Sequence, residues 1–398
     1  MNPVTQLFRT LSSLKLTVIL LAMSIFLIFA GTWAQIDLGI WTVLSKYFRS
    51  FFVMIPFQIF LPREWDVPGA IPYPGGFTLG GLLFINLLTA HAVRFKWEKR
   101  RTGIILVHLG IVLLIVGEFL TAMLAQENNM TIREGGTADY AEDIREVELA
   151  VVDRSNTTVD KVVVVPQSML ARQKLITDPR LPFDIQVDQF HQNADLLEGA
   201  EGGGAPLVAD KGFAVARHLT IKPRPPAAGT DRDRSDFPTA YVTLKKDGAV
   251  LGTWLVSLYL SLMSERVIQP VMVDGRTYDI AIRFKREYKP YQLTLIDFRH
   301  DKYPGTETPM NYSSDVRLFD PTTGEDRQVR IFMNNPLRYR GETFYQASFL
   351  QGDTGTVLQV VKNPGWLLPY AACAIGALGL LIHFGTRLVG FLNKGRKT

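Results

Sequence analysis

The sequence predicts a membrane α-helical bundle of four transmembrane helices joined to a large extracytoplasmic all-β domain. Its mean hydropathy is only slightly positive, yet the apolar residues are gathered into four long segments. The stretch between the third and fourth segments instead alternates apolar and polar residues with the period of β-strands. Basic residues cluster beside one end of the segments, and this clustering gives the predicted orientation.

The four apolar segments are long enough to cross a bilayer as helices. Inside hydrocarbon every backbone polar group must be satisfied within the chain, which favours helices over any open structure. The first segment has no charged residue and is longer than the hydrophobic region of a typical signal peptide, so we interpret it as an anchor. The segments are Leu16–Ala34, Phe77–Val93, Gly103–Ala125 and Trp366–Thr386.

The distribution of basic residues predicts that both chain termini are cytoplasmic and that the cell (inner) membrane is crossed several times. With four spans, the three basic clusters fall on one side, which the positive-inside rule identifies as the cytoplasm. The long region between the third and fourth segments holds more acidic than basic residues, so the net charge of +5 arises from the basic residues that flank the segments. This net charge does not require a nucleic-acid partner. The basic residues are Arg9, Lys15, Arg94, Lys96, Lys99, Arg100, Arg101, Arg387, Lys394, Arg396 and Lys397.

We therefore divide the chain into three parts. Residues 1–125 hold the first three helices with a short outer loop at 35–75, residues 126–363 form the extracytoplasmic β-rich domain, and residues 364–398 hold the fourth helix and a basic cytoplasmic tail. The aromatic residues of the outer loop fit either a short helix in the membrane interface or packing against the first helix. They are Trp41, Tyr47, Phe48, Phe51 and Phe52.

Short strands separated by turn signals such as Asp247-Gly248 and Asp274-Gly275 predict a β-sandwich or an open barrel in the outer domain. Residues 181–190 resemble 289–298, and 270–279 resemble 336–345 in the same order, which suggests two tandem β modules. Shared strand alternation is the alternative explanation of this similarity. The Gly-rich stretch near residue 200 and the Pro- and Asp-rich stretch 222–236 are predicted to be flexible loops.

Three histidines lie at similar depth near the cytoplasmic ends of the helices: His91, His108 and His383. An ionisable side chain at that depth is costly unless it is paired, hydrated or bound, so each is a candidate functional residue. A neutral imidazole is a common haem ligand, and His108 is the deepest of the three. His91 and His383 also fit contacts with lipid headgroups, and His108 also fits a hydrogen-bonded structural role. Glu118, toward the outer surface, fits the interface or a proton-accepting role.

Other chemistries find little support in the sequence. Cys373 is the only cysteine, so a thiol redox pair and a CxxCH haem attachment site are both excluded in this chain. The outer histidines are scattered and do not have zinc-ligand spacing. Dihaem quinone-oxidising cytochromes carry two histidines on each of two helices, whereas each helix here carries one. A membrane electron carrier that uses haem b among His91, His108 and His383 remains an alternative.

Several segments resemble the ResB family of cytochrome c biogenesis proteins. LSSLKLTVILLAMSIFLIFAGTWAQ is similar to the first ResB helix, and HLGIVLLIVGEFL to the helix with a His-Leu-Gly start. TLIDFRHDKYPGTETPMNYSSDVRL and NNPLRYRGETFYQASF are similar to two patterns of the family, and KNPGW opens the fourth segment. The resemblance covers roughly residues 1–130 and 294–386.

The resemblance implies a role in the System II route, which attaches haem to cytochrome c outside the membrane. It implies a ResC/CcsA-type membrane partner, an apocytochrome c substrate, and haem b as a bound or transient cofactor. His108 corresponds to the intramembrane haem ligand by its His-Leu-Gly context, and the outer strands could bind a CxxCH peptide by strand addition. The chain is then a non-catalytic subunit of a cytochrome c synthase complex. A scaffold that stabilises the partner and recruits substrate without touching haem is the alternative.

Overall fold

The computed structural model describes residues 3–62, 64–65, 67–94, 101–156, 159–199, 206–226, 236–263, 267, 269–306 and 309–395. Most of the basic segment 94–101, the end of the basic tail, and parts of the predicted loops near 200 and at 222–236 lie outside these residues. The chain forms two compact units. The first is named the membrane unit for its four helices that are long and apolar enough to cross a membrane, and it holds Met1–Ala125 and Asn363–Thr398. The second is named the β unit and holds Gln126–Ala227 and Asp236–Lys362.

The helices and strands follow the two patterns read from the sequence. The α-helices are α1 (Pro3–Leu11), α2 (Leu14–Val43), α3 (Gly76–Arg94), α4 (Thr102–Leu124), α5 (Gln167–Leu170), α6 (Phe213–Arg217), α7 (Leu258–Leu262) and α8 (Leu368–Gly395). The strands are β1 (Phe52–Pro56), β2 (Ala70–Pro74), β3 (Gln126–Arg133), β4 (Thr137–Asp153), β5 (Lys161–Pro166), β6 (Leu175–Ile176), β7 (Asp184–His191), β8 (Ala194–Glu198), β9 (Leu219–Pro223), β10 (Thr239–Lys246), β11 (Ala249–Ser257), β12 (Gln269–Val273), β13 (Arg276–Lys302), β14 (Pro309–Asp320), β15 (Glu325–Phe332), β16 (Leu337–Tyr339), β17 (Glu342–Phe349) and β18 (Gly355–Lys362).

Four helices of the described chain are long and apolar enough to cross a membrane, which confirms the predicted apolar segments: Leu14–Phe48, Gly76–Val93, Thr102–Leu124 and Leu368–Asn393. The first is longer than its apolar segment, because α2 continues past Ala34 and is interrupted only at Gly39, whose φ is 71°. Tyr47 is 1% exposed, and the Phe48 ring lies in close contact with Gly31 of α2. These two aromatic residues therefore pack against α2.

The break between α1 and α2 is held by a buried asparagine of α3. Asn86 is 2% exposed, and its amide donates hydrogen bonds to the carbonyl oxygens of Leu11 (2.5 Å) and Ser13 (3.2 Å). Its carbonyl oxygen accepts from the Thr17 hydroxyl at 2.6 Å. The Leu11 carbonyl ends α1, where carbonyls lack partners within the helix, whereas the Ser13 carbonyl also accepts from the Thr17 amide at 3.2 Å. The apolar sequence of α3 gives no hint of this role.

Helices α4 and α8 pack with their backbones in close approach. Gly103, Gly110 and Gly117 recur every seven residues along α4 and are all buried. A Cβ atom at Gly110 would lie 2.8 Å from the Ala372 carbonyl oxygen, and one at Gly379 of α8 would lie 2.7 Å from the Val107 amide nitrogen. Helices in lipid associate through such small residues because no hydrophobic effect drives them together.

The β unit is built on a ten-stranded antiparallel sheet whose main order is β15-β14-β13-β4-β3-β18-β17-β16, with β12 on β13 and β5 on β4. A second sheet has the order β11-β10-β7-β6. Its apolar face packs with Val147, Leu149 and Ile282 of the large sheet to form one core, which is the sandwich that the alternation predicts. A separate core is formed by Met130, Leu293, Leu318, Phe344 and other buried residues.

The second core lies inside a sheet that curls on itself. Strands β15 and β16 stand at opposite ends of the strand order, yet only a four-residue connection joins Phe332 to Leu337, and Phe332 pairs with Asn335. The two ends of the sheet must therefore approach each other, which brings the apolar faces of the strands together. The result resembles a filled barrel.

The two cores share β4 and β13. The N-terminal part of β13 contributes Ile280 and Ile282 to the first core, and its later part contributes Leu293 and Leu295 to the second. The segments 270–279 and 336–345 are both hairpin turns, β12 to β13 and β16 to β17. The similarity between these two segments thus falls on two hairpins, one in each core, while β4 and β13 contribute to both cores.

Candidate functional site

The structure brings His91 and His108 together. Their ring centroids lie 4.7 Å apart, and their planes cross at 68°. The placement follows from the ends of the two helices, because α3 ends at Arg94 and α4 begins at Thr102. His91 precedes the turn by about one helical turn and His108 follows it by less than two, so the two side chains meet at similar depth.

Each imidazole is oriented by its own helix. Nδ1 of His91 lies 2.9 Å from the Leu87 carbonyl oxygen, and Nδ1 of His108 lies 2.8 Å from the Ile104 carbonyl oxygen. A carbonyl oxygen only accepts, so Nδ1 carries the proton in each neutral ring. The lone pair is then on Nε2. Metal-binding histidines commonly have this arrangement, with the second ring nitrogen donating to a backbone carbonyl.

His383 has a different position from the pair. Its backbone lies against the start of α4, where a Cβ atom at Gly103 would be 2.6 Å from the His383 amide nitrogen. Its imidazole lies 5.6 Å from the Phe384 ring. Within the described part of the chain, no ring contact joins His383 to His91 or His108. Of the three candidate histidines, two therefore form a cluster, and the third lies nearer the basic end of α8.

The outer ends of α4 and α8 are linked by polar side chains. The Asn363 amide donates to the Thr121 hydroxyl at 3.2 Å, and its carbonyl oxygen accepts from the Gly365 amide at 2.8 Å. The Asn-Pro-Gly sequence that opens the fourth segment thus fixes the entry to α8 against α4. Glu118 lies on the same part of α4 with an exposed side chain.

The signature segments of the β unit are largely structural. The Gln346 side chain accepts from the Ser314 hydroxyl at 2.6 Å and donates to the Thr356 hydroxyl at 3.0 Å. Ser314 and Thr356 are both fully buried, so these bonds satisfy polar groups inside the second core. The Tyr-Gln-x-Ser and Tyr-x-Ser patterns therefore place hydrogen-bond partners on β17 and β14, two strands that are not paired in the sheet.

A buried charge network lies beside them. Lys289 has a side chain that is 3% exposed and bonds to Glu342 at 2.6 Å and Glu287 at 3.0 Å. The Tyr291 hydroxyl also donates to Glu342. Burial raises the pKa of Tyr291 above its usual value, and this hydrogen bond adds a smaller increase. The Tyr291 ring meets the Tyr339 ring edge-on, with centroids 5.1 Å apart.

Tyr339 extends the network to a second carboxylate. Asp320 is fully buried and accepts hydrogen bonds from the Tyr339 hydroxyl at 2.7 Å and from the Thr322 amide at 2.8 Å, with Arg340 at 2.7 Å. Burial alone would raise the pKa of Asp320, but the hydrogen bonds and the Arg340 charge hold it well below its ordinary value. The network stabilises the ionised carboxylate.

No group of three or more His, Cys, Asp or Glu side chains with metal-binding geometry occurs among the described residues. The three histidines are candidates in the sequence because they lie in apolar segments. The structure adds the contact between His91 and His108. Asn86 and the glycines of α4 were missed as structural determinants. The seven-residue spacing of those glycines was the one signal that the sequence contained.

Two comparisons with known proteins bear on identity. The sequence profile of the ResB-like family matches residues 269–357, which include both signature segments of the β unit. Protein NrfI of Wolinella succinogenes is 26% identical over 307 residues, which is 76% of this chain. The chain spans 29% of the length of that relative. The resemblance to the ResB family that the motifs predict is thereby confirmed.

Proposed function

We propose that this chain is a membrane subunit of a cytochrome c maturation complex, which holds haem b at the His91–His108 pair for attachment to apocytochrome c outside the membrane. The observation that carries the proposal is the contact between two imidazoles at one depth, each with Nδ1 bonded to its own helix. The resemblance to the ResB-like family supports the biological context.

The donor set fits haem iron. A neutral imidazole ligates through a nitrogen lone pair, and the hydrogen bonds at Nδ1 leave that lone pair on Nε2 of both His91 and His108. Apolar side chains make up most of α3 and α4 around the pair. Exposed Leu88 and Leu109 lie beside the two histidines in sequence and offer apolar surface to a porphyrin ring.

The distance between the rings favours one ligand from this chain. Two imidazoles that bind one iron from opposite sides keep their ring centres roughly 6 Å apart, because each metal–nitrogen bond is about 2 Å long. The His91 and His108 centroids are closer, at 4.7 Å. Of the two, His108 would ligate the iron, because its His-Leu-Gly context resembles that of the intramembrane haem ligand of the ResB family, and His91 would pack against it. A ResC/CcsA-type partner would supply the second imidazole.

When bound, haem supplies the group that is to be joined to the cytochrome. This chain's residues hold it and orient it: Ile104 fixes the His108 ring, and Asn86 with the α4 glycines fixes the helices that carry the pair. The basic flanks support a position of this site in the cytoplasmic leaflet of the cell membrane, on the side where haem is made. By the same rule the β unit would lie outside and would receive apocytochrome c there.

The test is the haem content of the chain purified in detergent together with its membrane partner. We expect His108→Ala to lose most of the bound haem and His91→Ala to lose part of it, with an altered absorption spectrum. His383→Ala is the matched control, since that imidazole makes no described contact with the pair, and it should retain haem. Equal haem in all four proteins would instead favour the scaffold that stabilises a partner without touching haem.

A further inference from the structure

Helix α1 has an exposed apolar side. Successive residues of an α-helix are about 100° apart, so Leu7, Phe8 and Leu11 lie along one side of α1 and Gln6 and Arg9 along the opposite side. Leu7 is 58% exposed and Phe8 is 42% exposed. The apolar side therefore meets the surroundings of the protein at the start of the first apolar segment.

A break separates α1 from α2. Ser13, the residue before α2, has φ −72° and ψ 130°, which is extended backbone. An extended residue between two helices changes the direction of the chain, so α1 does not continue the axis of the first predicted span. Asn86 of α3 binds the carbonyl oxygens of Leu11 and Ser13 on the two sides of the break. The direction of α1 is thereby fixed against α3.

The end of α1 is closed by groups of the protein itself. The last four carbonyl groups of a helix lack partners within it. In α1 each of them accepts a hydrogen bond: the Phe8 carbonyl from the Ser12 amide (2.9 Å), the Arg9 carbonyl from the Ser12 hydroxyl (3.2 Å), the Thr10 carbonyl from the Ser13 amide (3.1 Å) and the Leu11 carbonyl from the Asn86 side chain (2.5 Å). Complete pairing of this kind is needed where water is scarce, as near the acyl chains of a membrane.

The charges beside α1 complement an anionic surface. Residues 1–36 contain no aspartate or glutamate, and their basic residues are Arg9 and Lys15. Both side chains are exposed. Arg9 lies on the polar side of α1, and Lys15 follows the break. Basic residues next to an exposed apolar side are typical of helices that lie in the interface of membranes with anionic lipids.

Exposed apolar residues follow directly on α2. Leu14, the first residue of α2, is 67% exposed, and Val18 and Ile19 are exposed as well. They belong to the first predicted span, whose surface would contact acyl chains. The apolar side of α1 is thus next in the chain to the surface that lipid would cover. Lipid is therefore the occupant that the charges, the closed helix end and the neighbouring surface favour.

We propose that α1 lies in the cytoplasmic interface of the membrane, with Leu7 and Phe8 among the acyl chains and Arg9 and Lys15 at anionic headgroups. This proposal rests on the membrane placement in the proposed function. Asn86 precedes His91 by five residues, which is about 7.5 Å along α3. An interfacial α1 therefore acts as an anchor that holds the histidine pair at a constant depth.

The experiment measures the depth of α1 in the full chain, reconstituted into nanodiscs of phosphatidylcholine and phosphatidylglycerol. Cys373 is the only cysteine, so a Cys373→Ser background allows a single nitrobenzoxadiazole label at Phe8→Cys or, as the matched control, at Gln6→Cys. Lipids that carry a nitroxide just below the headgroup quench labels at that depth. We expect the label at residue 8 to be quenched about twofold more strongly than the label at residue 6. Equal quenching of the two labels would overturn the proposal.

Charge variants test the contact with headgroups. Raising phosphatidylglycerol from none to roughly 30% of the lipid should strengthen the quenching at residue 8, because basic residues are attracted to anionic lipid. Lys15→Gln should reduce this increase. Lys46→Gln, which changes an exposed lysine beyond the other end of α2, should leave it unchanged. Equal effects of the two substitutions would contradict a headgroup contact at α1.

A protein occupant of the apolar side would give a different result. Reconstitution together with the membrane partner should leave the quenching at residue 8 unchanged. Protection of that label by the partner would assign the apolar side to the partner and overturn the proposal. Dilution of the chain in lipid should also leave the quenching unchanged, whereas an increase on dilution would assign the apolar side to a second copy.

The His108→Ala variant separates this proposal from the haem proposal. It should keep the quenching pattern of the parent, because Asn86 fixes the end of α1. Haem content that does not depend on the histidines would refute the haem site while the quenching result stands. Haem content that follows the histidines, together with equal quenching at residues 6 and 8, would refute the position of α1 alone.

Discussion

The membrane unit and the β unit use opposite means to hold their parts together. In the membrane unit, α4 and α8 meet backbone to backbone at glycines, and single polar side chains such as Asn86 fix the helix ends. In the β unit, two apolar cores form around strands β4 and β13, and the charges inside are fully paired. Each arrangement fits the surroundings proposed for its unit, which are lipid for the apolar helices and water for the strands.

The difference shows which interactions matter in each unit. In lipid, association depends on close packing and hydrogen bonds, because apolar side chains gain nothing by leaving hydrocarbon. In water, burial of apolar surface drives folding, and a buried charge is tolerated only when it is paired. Substitutions that add volume should therefore be most damaging between α4 and α8, and substitutions that remove a charge partner should be most damaging in the barrel.

The largest effect on stability is expected at the barrel network. Glu342→Ala leaves Lys289, which is 3% exposed, with one partner fewer and also removes the acceptor of the Tyr291 hydroxyl. Breaking a buried ion pair from one side costs roughly 3–5 kcal/mol. Denaturant unfolding of the full chain in detergent measures the change. Glu325→Ala removes the half-buried partner of the exposed Arg327 and should cost less than about 1 kcal/mol.

If Glu342→Ala proved as mild as Glu325→Ala, the view that paired charges are essential inside the β unit would fail. A Glu342→Gln variant adds resolution, because it keeps an acceptor for Tyr291 and removes only the charge. Its loss of unfolding free energy should lie between those of Glu342→Ala and Glu325→Ala.

The next effect is expected at the glycine interface of the membrane unit. Gly110→Leu brings a side chain against the Ala372 carbonyl oxygen, which would lie 2.8 Å from the new Cβ atom. Overpacking of this kind costs roughly 1–3 kcal/mol. Gly385→Leu is the control on α8, where a Cβ atom meets nothing within 4 Å. Thermal unfolding of both variants in detergent checks the difference, and equal midpoints would contradict close packing of α4 on α8.

The smallest effect is expected from pH at Asp320. Its pKa is lower in the folded chain than in the unfolded chain, so its contribution to stability is fully present above the unfolded value of about 3.9 and is lost as pH falls below it. The stability difference between wild type and Asp320→Asn should therefore shrink as pH is lowered from 6 toward 3. A difference that grew with acidity would reverse the assigned sign. Asp301→Asn, at an exposed residue that forms no ion pair among the described residues, serves as the control.

The sequence alone determined the four apolar helices, the strand-rich region and the resemblance to the ResB family. These follow from local patterns: a run of apolar residues fits hydrocarbon, alternation fits a half-buried strand, and the signature segments are contiguous. Sequence also selected His91, His108 and His383 as candidates, because ionisable residues are rare at membrane depth. The sequence does not indicate which of these three histidines contact one another.

Only the tertiary structure decided which groups meet. It joined His91 to His108, set the His383 backbone against Gly103, and gave Asn86 its role at the α1–α2 break. It also ran β4 and β13 through both cores. Contacts of this kind join residues far apart in the chain, and they depend on how helices and strands pack, which local periodicity does not encode.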